Sequence, residues 1–258
     1  MITDEDNRIV DFEEKPEHPR SNLASMGIYI FNWKTLKDAL VTNKEQPGLD
    51  FGKHIIPYCR DKGSPLYAYE FNGYWKDVGT LTSYWEANME LIDIVPEFNL
   101  YEEYWKIYTK STSNVPQYFG PESAAERTII GEGTEVYGRV YNSVIGCDVT
   151  IEKGAEVRNS ILMNGTRVGA GSRLYKVIAA ENVTIGDGAV LGEGYEHPND
   201  TRPDIYRDGI VTLGEGTIIP AGVTIGKNVM ISGETTPEDY PGSRLESGKT
   251  LVKEGDVK

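Results

Sequence analysis

The sequence predicts an α/β segment followed by a parallel β-solenoid, and three observations predict it. A short pattern returns at a fixed interval of 17 residues in the second half. Aliphatic residues recur there at six-residue steps, many with glycine directly behind them. In the first half, an alternating run passes through an aromatic and acidic turn into a helical pattern.

The repeat is the strongest signal. Val140-Tyr141-Asn142-Ser143-Val144 returns as Val157-Arg158-Asn159-Ser160-Ile161 and as Leu174-Tyr175-Lys176-Val177-Ile178. Six-residue steps run through Ile145, Ile151 and Val157, through Leu162, Val168 and Leu174, and through Leu213, Ile219, Ile225 and Ile231. Each step reads as one short strand and one corner, with the aliphatic residue pointing inward. The glycines that follow, as at Ile130-Gly131, Ile145-Gly146 and Val168-Gly169, are expected to ease the backbone round the corner. Small or β-branched residues such as Thr134, Val149, Ser172 and Thr217 stand four positions later. Three steps make a coil one residue short of eighteen, and stacked coils bury a continuous aliphatic column. Residues 192–212 interrupt the pattern with a polar excursion read as a surface loop, and the tail after Gly233 is expected to leave the repeat and cap its end.

In the first half, residues 8–14 alternate like a strand and stop at Lys15-Pro16, since proline cannot continue a ladder. Ala24–Phe31 is the best core-strand candidate, with Ser25 and Tyr29 on one face. Trp33–Val41 has the period of an amphipathic helix. Leu49-Asp50-Phe51-Gly52 leads into a short helix over 53–58 with Asp50 near its N-cap. Leu66–Phe71 alternates as a further strand, and Thr80–Ile94 reads as a helix with Leu81, Tyr84, Trp85, Asn88, Leu91 and Ile92 on its inner side. Asp77 then sits between strand and helix, where α/β proteins place ligand chemistry, or simply caps the turn. Residues 98–125 are aromatic-rich without a period and read as an ordered connector. The resulting division is 1–95, connector 96–127, and solenoid 128–258.

Composition narrows the function classes. The 258 residues carry a formal charge of −14, which argues against nucleic acid or an anionic membrane as the main partner. Cys59 and Cys147 lie far apart without metal-ligand spacing and read as buried free thiols of a reducing compartment. His18, His54 and His197 also lack such spacing. The first residues lack a basic and apolar leader pattern, and no window has 18 apolar residues, which points to a soluble cytoplasmic protein.

Five motifs occur in a fixed order: Glu13-Glu14-Lys15-Pro16, Leu23-Ala24-Ser25-Met26-Gly27-Ile28-Tyr29, Asp50-Phe51-Gly52-Lys53, Tyr74-Trp75-Lys76-Asp77-Val78-Gly79-Thr80 and Ser83-Tyr84-Trp85-Glu86-Ala87-Asn88-Met89. With the hexapeptide repeat behind them, they resemble the glucose-1-phosphate adenylyltransferases, or ADP-glucose pyrophosphorylases, over essentially the whole chain. The resemblance implies the C-terminal part of a Rossmann-like nucleotidyltransferase domain followed by a left-handed parallel β-helix. It implies a reaction of ATP with glucose 1-phosphate giving ADP-glucose and pyrophosphate for glycogen synthesis, with Mg²⁺. By the same resemblance, Lys15 would hold the sugar phosphate, and Glu14, Ser25, Tyr29, Asp50, Phe51 and Trp75 would line the glucose pocket. Asp77 would ligate Mg²⁺. Tetramers, homo- or hetero-, would form through the β-helix, and Arg139, Arg173 and Lys227 are basic residues that could meet an anionic effector.

One departure stands out. The family's glycine-rich loop of the GGxGxRLxPLT type has no counterpart in these residues. The expectation is a C-terminal portion of a longer enzyme, inactive alone, with an exposed sheet edge and apolar surface. A non-catalytic regulatory or assembly subunit is the alternative. A hexapeptide acyltransferase is disfavoured, because no histidine lies in the regular coils.

Overall fold

The computed structural model describes residues 1–13, 17–109 and 113–253. The chain divides into two compact units, Met1–Trp75 and Lys76–Lys258.

In the first unit, Ile9–Asp11 pairs antiparallel with Ile2–Thr3, and Arg8 forms an isolated antiparallel bridge with Tyr67. Helix α1 (Trp33–Thr42) is capped by Asn32, whose side chain accepts the Lys34 N–H. A π-helical turn, Phe51–Ile55, runs directly into α2 (Ile56–Asp61). Asp50 is the N-cap of that turn, accepting the Lys53 N–H at 2.8 Å. Ala39, Ile55 and Cys59 form a small core with Phe31, Leu36 and Leu66 packed on it, and burial pushes the Cys59 thiol up.

Two strand expectations are corrected in this unit. Ala24–Phe31 bends at Gly27 (φ 72°), alternates in burial only over 28–31, and joins no ladder among the described residues. Its even-numbered side is open, with Ile28 74% and Ile30 100% exposed. Leu66–Phe71 likewise forms no strand beyond the bridge at Tyr67. Alternation records which side chains share a face, but a strand also needs partners for its backbone groups.

The second unit is a parallel β-helix of short strands. One face stacks Tyr118–Phe119, Glu135–Val136, Thr150–Ile151, Arg167–Val168, Thr184–Ile185 and Ile218–Ile219. Val140, Val157 and Leu174 are in register on a second face, and Val144, Ile161 and Ile178 on the third. The 17-residue interval is therefore one coil. Its missing residue has a definite place. Val140 to Ile145 spans five positions, whereas Ile145 to Ile151 and Ile151 to Val157 span six, and all four side chains are buried. The short corner turns through left-handed residues at Asn142 (φ 46°), Asn159 (φ 50°) and Lys176 (φ 55°).

The glycines behind the aliphatic residues do a different job from the one expected. Gly131, Gly146, Gly169 and Gly186 do not have positive φ. They are glycine because coils approach too closely for a side chain: a Cβ at Gly169 would lie 2.6 Å from Asp187 N and Gly186 C. The left-handed corner position comes two residues later, at Gly133, Asp148, Gly171 and Gly188, where glycine or a short polar residue tolerates φ > 0. Thr134 fits the next position because its hydroxyl satisfies Gly146 O at 2.8 Å inside the core.

Helix α3 (Leu81–Glu90) starts at Thr80, whose hydroxyl takes the Ser83 N–H while Ser83 Oγ takes the Thr80 N–H, both at 3.1 Å. It is shorter than the sequence pattern suggests and none of its residues is fully buried. Leu81, Tyr84, Trp85 and Met89 cover Ile161, Ile178 and Ile210 on the outside of the solenoid. Trp85 Nε1 donates to the Asn159 carbonyl at 2.7 Å, and Arg127 reaches Asp93 at 3.0 Å.

The excursion at 192–210 is tied down. Asn199 is 2% exposed, donates to Asn228 O at 3.0 Å, and accepts the N–H groups of Thr201 and Arg202. The tail also departs from expectation. Tyr240 closes the core, with its hydroxyl on Ile218 O at 2.9 Å and burial pushing its pKa to about 12. Beyond it the repeat resumes, with Arg244–Leu245 and Thr250–Val252 adding strands to the ladder. Cys147 is half-buried rather than buried. Among the described residues no helix is long and apolar enough to cross a membrane.

Two outcomes test these assignments. Gly171 has φ +67° with open space around it, so Gly171→Asn should stay within about 1 kcal/mol of the parent in urea melts. Gly169→Asn, forced against the next coil, should lose about 1–3 kcal/mol or more. The Asp50 carboxyl is held below its usual range, chiefly by the Lys53 N–H. Its contribution is present above about pH 3.9 and fades as pH falls through the lowered folded-state value. Asp50→Ala should therefore lower the melting temperature of the first unit at pH 7 and less so at pH 3. Equal deficits at both would rule out the ionic cap.

Candidate functional site

In the first unit, the 24–31 segment bends at Gly27 (φ 72°), Ser25 and Tyr29 are joined by a hydrogen bond, and the Phe51 turn packs beside Tyr29 and Phe31. The Tyr29 and Phe51 rings stack at 5.4 Å with an interplanar angle of 11°. Phe31 closes the group at 6.2 Å from Tyr29 and 5.9 Å from Phe51, both tilted. Ser25 Oγ donates to Tyr29 Oη at 3.0 Å and accepts the Gly27 N–H at 3.1 Å. The relay consumes an acceptor site on Tyr29 and leaves its phenolic proton to donate outward. The result is a cluster of rings, two stacked and one tilted, forming an apolar wall with a hydroxyl rim. Such a wall suits the weakly polar face of a sugar ring, and the rim suits its hydroxyls.

Asp50 stands at the edge of the wall, directly before Phe51. One of its oxygens is occupied by the Lys53 N–H, and its own N–H donates to His54 Nδ1 at 3.0 Å. A carboxylate has about four acceptor positions, so the cap leaves it able to take a ligand hydroxyl. The lowered pKa keeps it ionised. Phe31 and His54 were not singled out by sequence reasoning. Phe31 could have been, because it has the same even spacing as Ser25 and Tyr29. His54 could not, because its partner is the backbone of a residue one helical turn earlier.

The other expected residues divide. Trp75 ends the first unit, 46% exposed and without a ring contact among the described residues. Glu14 and Lys15 lie outside the described residues. Flanking them in sequence, Arg20 pairs with Asp11 and reaches Glu13 at 2.6 Å, and Arg60 also meets Asp11 at 3.3 Å. Asp77 belongs to the second unit, exposed, with its carboxylate accepting the Gly79 N–H at 3.0 Å. It caps its own turn, as the plainer reading of Asp77 expects, while Thr80 caps the helix. The neighbouring Lys76 amine is engaged by Glu90 at 2.5 Å and Glu86 at 3.4 Å, which raises its pKa.

No group of three or more His, Cys, Asp or Glu side chains able to hold a metal occurs among the described residues. Asp77 supplies a single exposed carboxylate. That fits magnesium, which commonly takes one or two carboxylates and completes its shell with phosphate and water.

On the solenoid, Arg173 and Lys227 share a shallow depression of about 360 Å³ with Arg158, Tyr175 and Glu193. Arg173 is already paired with Glu193 at 3.2 Å, and Arg139 does not line the depression.

Two family models match the chain. Residues 1–94 match the nucleotidyl transferase family model, and residues 115–213 match the GlmU-like C-terminal hexapeptide model. The chain is 59% identical over 99% of its length to a glucose-1-phosphate adenylyltransferase of Lachnospira eligens, covering 60% of that protein. It is 44% identical over its whole length to that of Acetivibrio thermocellus, covering 61% of it. For that of Thermotoga maritima the identity is 46% over 98% of the chain and 60% of the relative. The chain thus spans about three fifths of the length of the curated relatives it matches. Near-complete alignment at such identity, across both the transferase segment and the β-helix, places this chain in the glucose-1-phosphate adenylyltransferase family.

Proposed function

We propose that this chain carries the sugar-phosphate half of a glucose-1-phosphate adenylyltransferase site, in an enzyme joining ATP and glucose 1-phosphate to give ADP-glucose and pyrophosphate. The observation that carries the reading is the Ser25–Tyr29–Phe51 wall with Asp50 at its edge, inside a segment that matches the nucleotidyl transferase model. The stacked rings cover the apolar face of glucose. Asp50, Ser25, Tyr29 and Glu14 accept from or donate to its hydroxyls, and Trp75 completes the pocket. Lys15 anchors the phosphate through charge-assisted hydrogen bonds.

In the reaction, an oxygen of the sugar phosphate attacks the α-phosphorus of ATP. That P–O bond forms as the bond to the bridging oxygen of pyrophosphate breaks, with the charge leaving on pyrophosphate. Such an in-line transfer depends on positioning and charge neutralisation rather than on a covalent enzyme intermediate. Lys15 holds the attacking group in line, and Asp77 would hold Mg²⁺. When bound, that ion would neutralise charge on the transferring phosphates. We place the enzyme in cytoplasmic glycogen synthesis and assign tetramer assembly to the β-helix. Turnover requires the portion of the relatives that lies outside the match. A regulatory or assembly subunit has no need for Lys15, Asp50 and Asp77 together, so their joint presence favours the enzyme.

The test joins this chain to the unmatched portion of the Lachnospira eligens relative and follows pyrophosphate release with ATP, glucose 1-phosphate and Mg²⁺. Lys15→Ala should raise the KM for glucose 1-phosphate about 10- to 100-fold, as expected for losing a charged hydrogen bond of about 1.5–3 kcal/mol. Asp77→Asn should lower the Mg²⁺-dependent kcat by about a hundredfold or more. If Lys15→Ala leaves the glucose 1-phosphate requirement unchanged, the anchor assignment is wrong. If Asp77→Asn leaves the rate unchanged, the metal assignment is wrong.

A further inference from the structure

The short corner of the β-helix is a seat for α3. Along the helix, its left-handed residues meet one partner after another. Arg127 (φ 48°) pairs with Asp93. Asn142 reaches Met89 Sδ at 3.8 Å and Asn159 Oδ1 at 2.6 Å. The Asn159 carbonyl takes the Trp85 indole N–H. Lys176 places its amine 4.7 Å from the Trp85 ring centroid. Lysine tolerates φ > 0 less readily than asparagine or glycine, so its presence at this corner asks for a compensating role for its side chain.

In the next coil the same corner, between Leu191 and Leu213, is where the excursion is inserted. The returning end of the excursion completes the seat. The Asp208 carbonyl accepts the Lys176 amine at 2.6 Å, the Asp208 carboxylate accepts the Thr82 hydroxyl at 2.5 Å, and Ile210 is fully buried in the cluster that Leu81 and Trp85 cover. Its outgoing end is anchored by Asn199 and Asn228 in the last coils.

We propose that the excursion is a latch: through Asp208 and Lys176 it holds the first turn of α3 on the solenoid, and so fixes the Asp77–Gly79 turn that leads into it. Lys176 is thus a positioning residue for Asp77, acting through Asp208 and Trp85. The functional value of fixing Asp77 rests on the reading above. The latch itself does not.

The test is amide hydrogen exchange on the full chain, without nucleotide, sugar phosphate or metal, in Lys176→Met, Lys176→Arg and Thr82→Val. In Lys176→Met and Thr82→Val, exchange over residues 77–90 should rise about tenfold, while coils 139–191 keep the parent rate, as for local opening of one cooperative unit. Lys176→Arg should restore much of the protection, because a guanidinium still donates to Asp208 O and stacks on Trp85. Unchanged exchange in both Lys176→Met and Thr82→Val overturns the latch. Should Lys176→Met disturb the coils themselves, Thr82→Val decides alone, since it removes one hydroxyl outside them. Loosening of α3 with full protection retained over 77–80 overturns the positioning role. Failure of the magnesium assignment is read separately, from the Asp77→Asn kinetics.

Discussion

The constraint on which the second unit depends is the distance between neighbouring coils. The main chains of successive turns approach within hydrogen-bond range on all faces, and at the corners they come closer than a Cβ permits. Every other feature follows from that spacing. The inward positions must be aliphatic, because a column this narrow excludes water. The corners must alternate between a residue with no side chain and a residue able to take φ > 0. Buried hydroxyls such as Thr134, Ser143 and Ser160 must answer carbonyls that the corners turn inward.

The same spacing explains why one corner per coil is a residue shorter. A five-residue corner with a left-handed residue in its middle presents backbone carbonyls and long side chains outward in a straight file. A helix can lie along that file, satisfying one corner after another. The apolar residues Ile161 and Ile178, outside the solenoid's column, are covered by Ile210 and by α3. Each such side chain removed from water contributes on the order of 1.5–3 kcal/mol. The excursion is a lengthened version of the same corner. It leaves the repeat where the helix begins and returns in time to cover its first turn.

In the first unit the candidate site is a small number of rings on a modest core. The wall of Tyr29, Phe31 and Phe51 stands on Ala39, Ile55 and Cys59, to which Phe31 also belongs. Asp50 caps the Phe51 turn, and the same Lys53 N–H that it accepts keeps its carboxylate ionised at the edge of the ring cluster. Lys76 shows the reverse. It sits in the most suggestive motif of the chain, yet its amine is spent on Glu86 and Glu90 of α3.

Period and residue type alone determined the β-helix, its 17-residue coil, the presence of helices starting near Trp33 and Thr80, and Asp50 as a cap. Each is a matter of local spacing, and local spacing survives folding. The pairing of Ser25 with Tyr29 comes from a hydrogen bond across the bend at Gly27, not from the strand face the spacing suggests. What tertiary structure decided was how backbones meet. It settled that Gly169 is glycine for the sake of the next coil rather than its own φ. It settled that Ala24–Phe31 and Leu66–Phe71 form no ladder among the described residues despite their alternation. It brought Phe31 and His54 into the site and returned the tail to the repeat beyond Tyr240. Those outcomes depend on groups far apart in the chain, and a single residue's pattern carries no record of which distant backbone will lie against it.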